Sequence, residues 1–175
     1  MSTGSWLRTH RKSVITHTLI VGAFLLFVLF LSEPLFDRLE QVAGISMLHD
    51  ISLPGETDNI MCGLTRHTID TATIQLDGWA FIEGHGAENK ETFIVLKSNN
   101  RVYVFDTVYR RRDDIALQFD RLDLMWSGFM AVIPSEKIRS GEYSVGLYIR
   151  GDDTEALEFT DWVLKKSAGE VHLAL

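Results

Sequence analysis

The chain has 175 residues, one domain's worth by length, with 17 Lys and Arg against 24 Asp and Glu and a formal net charge of −7. Arg8, Arg11 and Lys12 are its only bases before residue 32 and no acid precedes that point, so residues 32–175 keep 14 bases against 24 acids, a net −10. Such an acidic body excludes general nucleic-acid binding, whose affinity comes from neutralising phosphates, and the gathering of apolar residues in one segment excludes a simple cytosolic globule.

That segment is residues 14–31 (VITHTLIVGAFLLFVLFL), free of Asp, Glu, Lys and Arg. As a helix it covers about 27 Å, close to the roughly 30 Å hydrocarbon core of a bilayer, and a few flanking residues complete a transmembrane signal anchor over residues 14–36. Arg8, Arg11 and Lys12 lie before it, whereas Glu33, Asp37 and Arg38 follow. The positive-inside rule therefore keeps residues 1–13 cytoplasmic and exports the rest from a single-pass inner or plasma membrane protein. A cleavable signal peptide fits less well, because the apolar run exceeds 7–15 residues and no Ala-x-Ala-like site follows it. Cys62 is the only cysteine and no Asn-x-Ser/Thr triplet is present, which points to a bacterial envelope.

Residues 37–66 form a juxtamembrane stretch. Ser32-Glu33-Pro34 is a helix start, Leu35, Phe36, Leu39 and Val42 recur at helical spacing, and Gly44 stops the run. An irregular or edge strand and a connection follow, with a turn at Pro54-Gly55. From Thr68 the apolar period becomes two. Strands are expected at 74–82, 93–96, 102–105, 128–133, 143–149 and 156–164, separated by Gly84-His85-Gly86, Ser98-Asn99-Asn100, a charged stretch over 110–124, Pro134, Ser140-Gly141 and Gly151-Asp152-Asp153. About seven strands in some 100 residues predict a mainly β domain over residues 67–166, an immunoglobulin-like antiparallel β-sandwich, with an up-and-down barrel as the alternative. Residues 167–175 are a C-terminal tail.

The runs Gly78-Trp79-Ala80-Phe81-Ile82, Ile94-Val95-Leu96-Lys97-Ser98, Tyr103-Val104-Phe105-Asp106-Thr107, Arg112-Asp113, Ser127-Gly128-Phe129, Ile133-Pro134 and Gly141–Ile149 together resemble the small β-sandwich domains of poorly characterised bacterial membrane proteins associated with glycosyltransferases and surface-polysaccharide assembly. The resemblance covers about residues 68–165 and brings no catalytic signature. It implies an exported module in an envelope or glycan context.

No Gly-x-Ser-x-Gly elbow is present, the six histidines never fall at ligand-like spacing, and no cofactor motif occurs. Asp113, Asp114, Asp120 and Asp123, or Asp152 and Asp153, are conceivable Ca²⁺ ligands, but solvated loop charge explains them better. Arg110-Arg111-Arg112-Asp113 is the most unusual local feature, because guanidinium forks grip carboxylates and phosphates. Local pairing with Asp113 and Asp114 competes with that role. Trp126 and Tyr109 are the aromatics best placed to stack on a sugar, and His85 sits between glycines in a loop. Trp79 reads as a core residue within a strand. The expected function is that of a non-enzymatic accessory protein holding a membrane-protein partner, with glycan binding through the loop aromatics and arginines as the alternative.

Overall fold

A computed structural model of the chain describes residues 20–22, 24, 26, 27, 47, 48, 51–168 and 170–175. The chain divides into two compact units, Met1–Leu39 and Glu40–Leu175. In the first, Ile20, Val21, Gly22, Phe24, Leu26 and Phe27 are helical. No helix among the described residues is long and apolar enough to cross a membrane; most of the expected span over 14–36, and the short helix expected after it, lie outside the described residues.

The second unit is mainly β. Its described residues form ten strands: β1 (Met47–Leu48), β2 (Ile60–Ile69), β3 (Thr73–Ile82), β4 (Glu91–Ser98), β5 (Arg101–Asp106), β6 (Val108–Arg110), β7 (Gly128–Pro134), β8 (Gly141–Arg150), β9 (Glu155–Ser167) and β10 (Glu170–Ala174). They make two antiparallel sheets, six-stranded β1-β5-β4-β8-β9-β10 and four-stranded β2-β3-β7-β6. A short helix, Asp113–Gln118, and a 3₁₀ turn, Leu122–Leu124, cross from β6 to β7.

Period-two alternation explains the layering. Ile74, Leu76, Ala80 and Ile82 of β3, with Phe129, Ala131 and Ile133 of β7, meet Ile94, Leu96, Phe105, Tyr143, Val145, Leu147 and Ile149 from the other sheet in one core. At the start of β8 the Tyr143 hydroxyl donates to the Arg139 carbonyl at 2.8 Å, which satisfies a phenol buried among hydrocarbons.

Both sheets are also covered on parts of their outer faces. Leu48, Ile51 and Leu53 pack on Phe93, Val95, Val104, Tyr148 and Leu157, and the Thr57 N–H donates to the Leu157 carbonyl at 2.7 Å. On the four-stranded sheet, Phe81 and half-buried Trp79 lie beneath Ile115, Leu124 and Phe119 of the crossover. Trp79 is thus packed, but on the outer face and not between the sheets. Gly63 makes room for it, since a Cβ there would sit 2.8 Å from the indole nitrogen.

The expected strand and turn positions between 74 and 164 match the observed elements, including the Asn99-Asn100 hairpin. The strand count does not: ten stand where seven were expected. The three additional strands are β6, β10 and a second strand before residue 67, where β1 and β2 stand in place of the one irregular or edge strand expected; residues 47–48, 60–66 and 170–174 enter the sheets from outside the 67–166 boundaries. A bulge between Leu64 and Arg66 breaks the alternation of β2, which gives the expected edge strand its irregular pattern.

Candidate interaction site

The arginine stretch begins at the end of β6, where Arg110 pairs with Gly128 of β7. A Cβ on Gly128 would lie 2.4 Å from the Arg110 carbonyl oxygen and 2.6 Å from Cγ of Arg112. Glycine here allows the chain to fold tightly over β7 and directs Arg112 along the sheet. Arg112 then anchors the crossover through its backbone: its N–H donates to the Met125 carbonyl at 2.8 Å, and its own carbonyl receives the Ala116 N–H at 3.1 Å.

The mostly buried Arg112 guanidinium donates to both oxygens of Asp114 at 2.8 and 2.7 Å, and through Nη1 to Thr65 Oγ1 on β2 at 2.9 Å. This fork lowers the Asp114 pKa to about 2 and raises that of Arg112. Arg112 is therefore a tie between crossover and edge strand. Arg111 pairs with Asp113 at 2.8 Å with both side chains exposed, a contact worth little in water. Arg110 differs from both. Its Nη2 donates only to the Met130 sulfur, at 3.0 Å, a weak acceptor, so its exposed guanidinium meets no carboxylate among the described residues.

These side chains border a groove of about 360 Å³ on the outer face of the four-stranded sheet, with Arg66, Arg110 and Arg112 facing Asp77 and Asp114. Arg66 lies 3.6 Å from Asp77, whose other contact is the Gln75 amide, donating at 2.8 Å. Three guanidinium groups against two carboxylates leave local positive charge on an acidic body, and one of the three has no anionic partner among the described residues. A carboxylate or phosphate supplied from outside is the group this arrangement can take.

The seven sequence candidates are not brought together. Arg110 and Arg112 share the groove, while the Arg111–Asp113 pair does not line it. Tyr109 stands opposite core-facing Phe129 in the register, and cross-strand partners point to the same side, so its ring takes the opposite face of β6 from Arg110. Burial, followed by Glu91 and Asp106, raises the Tyr109 pKa. Trp126 is exposed after the 3₁₀ turn and, like Tyr109, lies outside the groove. His85 is exposed in its turn, Nδ1 lying 3.1 Å from the Glu83 carbonyl oxygen, and lines a separate cavity of about 510 Å³ with Glu88, Lys90, Asp123, Asp152 and Asp153. Arg66, Gln75 and Asp77 were missed, although the polar alternation Thr73, Gln75, Asp77 between Ile74 and Leu76 marks a solvent-facing stripe.

Three other features bear on chemistry. The Lys90 ammonium is enclosed without a hydrogen-bond partner, and burial, then Arg121, lowers its pKa. Cys62 is half-buried, and burial, then Glu158, pushes its thiol up to about 11, so little thiolate forms near neutrality. Among the described residues no group of three or more His, Cys, Asp or Glu could hold a metal; Asp113, Asp114 and Asp123 instead pair with the arginine two residues before each. No family model, curated protein or solved structure matches the chain.

Proposed function

We propose that this protein is a non-enzymatic accessory subunit: a single-pass anchor over residues 14–36 holds an exported β-sandwich that grips an acidic segment of a membrane-protein partner, in a bacterial envelope or surface-polysaccharide assembly complex. The observation that carries the binding role is the exposed Arg110 guanidinium, unpaired with any described carboxylate and set in one groove with Arg66 and Arg112. Every acid in that groove is engaged by an arginine, an arrangement suited to recognition and not to proton transfer.

An immunoglobulin-like assignment is supported by topology. The orders β2-β3-β7-β6 and β5-β4-β8-β9 correspond to neighbour relations A-B-E-D and C′-C-F-G. Tyr143, bonded four residues back at the start of β8, has the form of a tyrosine corner. β1 and β10 extend the second sheet.

Acidic glycan is the second reading, favoured by the chemistry of the same groove, because a uronate carboxylate suits the Arg110 fork as well as a peptide carboxylate does. Trp126 and Tyr109 are exposed, as sugar stacking needs, but outside it. A photo-crosslinker at Gln75, on the groove wall, separates the readings in native membranes. The proposal expects capture of a discrete protein, lost on Arg110→Glu and kept on Arg111→Glu. Capture of polysaccharide alone selects the second reading, and capture unchanged by Arg110→Glu refutes a role for the groove.

A further inference from the structure

The crossover buries one side and exposes the other. Ile115, Ala116 and Leu124 are buried, whereas Leu117 is 77% exposed, Leu122 74% and Trp126 45%. Three large apolar side chains exposed within ten consecutive residues are unusual for a water-facing loop. The charges around them cancel, since Arg110, Arg111, Arg112 and Arg121 match Asp113, Asp114, Asp120 and Asp123 in number, and three of these couples are ion pairs. The crossover is thus an electroneutral, apolar element on a strongly acidic body.

The register fixes where it lies. Met47 pairs with Phe105 near the end of β5, so the chain reaches the sandwich at the end where β5 leaves, through Thr107, for β6 and the crossover. Phe93 opposite Asp106 and Glu91 opposite Arg150 put the β3–β4 loop and the β8–β9 turn at that end too. The Ala87 N–H donates to the Asp123 carbonyl at 2.9 Å, joining loop to crossover. The Asn99-Asn100 hairpin is at the other end. Residues 37–46 separate the proposed span from Met47, and ten extended residues reach roughly 35 Å at most. The chain therefore enters the sandwich at the crossover end, ten residues after the proposed span.

We infer that Leu117, Leu122 and Trp126 insert into the headgroup interface of the anchoring membrane and hold the sandwich against it, an inference resting on the anchor proposed above. Tryptophan and leucine favour that depth. Electroneutrality of the crossover, with Glu88, Asp152 and Asp153 at the same end, suits zwitterionic lipid and opposes anionic lipid.

The full chain, in a Cys62→Ala background, is reconstituted into phosphatidylcholine nanodiscs with a bimane label at Leu117→Cys, Leu122→Cys or, for reference, Asn99→Cys. Doxyl groups near the lipid headgroups are expected to quench labels 117 and 122 several-fold more than label 99, and anionic lipid is expected to weaken the difference. As a label-free control, brominated lipid quenches the unmodified chain more than its Trp126→Phe variant. Equal quenching at all three labels in disc-bound protein overturns the contact and leaves the anchor standing. Failure of the chain to enter discs overturns both. Labels 117 and 122 shielded only in the presence of a co-purified protein assign this surface to a partner, and also overturn lipid insertion.

Discussion

Asp114 and Arg112 make the clearest electrostatic couple in the molecule, and their effect has a definite sign. The folded carboxyl has its pKa lowered from 3.8 to about 2, so its stabilising contribution is complete above the unfolded value and disappears as pH falls from 3.8 through about 2. Replacing Arg112 with Gln is expected to raise the Asp114 titration, followed by carboxyl NMR, from about 2 towards 3.8; an unmoved pKa would refute the assigned cause. Lys90 works in the opposite direction. Its enclosed ammonium has no acceptor among the described residues, so Lys90→Met is expected to raise stability by about 1 kcal/mol at neutral pH, the cost of leaving a buried donor unpaired, or roughly 4 °C in Tm. Because the folded Lys90 pKa is lowered from 10.5, wild-type stability rises as pH climbs from the folded value towards 10.5, and the gain shrinks there. Thermal melts at neutral and alkaline pH check both statements.

Close backbone approach organises the elements of the four-stranded sheet. At Gly78 in β3 a Cβ would lie 2.6 Å from the Gly63 carbonyl oxygen and 2.6 Å from Cζ of Phe129, a ring held in the core. Gly78→Ala should therefore cost about 1–3 kcal/mol, as overpacking does, whereas Gly55→Ala, with nothing within 4 Å, should stay within about 0.5 kcal/mol; urea midpoints of the two variants decide. The same strand shows what could be read without coordinates. The apolar period identified β3 as a strand, although Trp79 was read as core where Ile74, Leu76, Ala80 and Ile82 form the core face, and the pair Asn99-Asn100 identified the β4–β5 hairpin. β2 was legible only as an irregular edge strand without bounds, because its bulge shifts the alternation midway, and β10 was not legible because Val171 and Leu173 give only two inward positions in a short terminal segment.

Across the whole molecule, pairing partners decided what local pattern could not. Three adjacent arginines in sequence have three different fates: Arg112 ties the crossover to β2, Arg111 makes an exposed pair, and Arg110 faces the groove with a thioether as its only partner among the described residues. Neighbourhood in sequence suggested one cluster, whereas alternation along β6 sends Tyr109 and Arg110 to opposite faces. Arg66 joins the groove from 44 positions earlier because β2 lies beside β3 and the crossover returns over both. The anchored sandwich is proposed to serve as a subunit of a larger membrane complex. The most direct test is the mass and composition of the full-length protein, extracted from its native membrane in mild detergent through a C-terminal tag. Co-purification of a polytopic membrane protein in fixed ratio, abolished by Arg110→Glu with the fold intact, is the predicted result; recovery of the wild-type chain as a lone monomer or homodimer would contradict it.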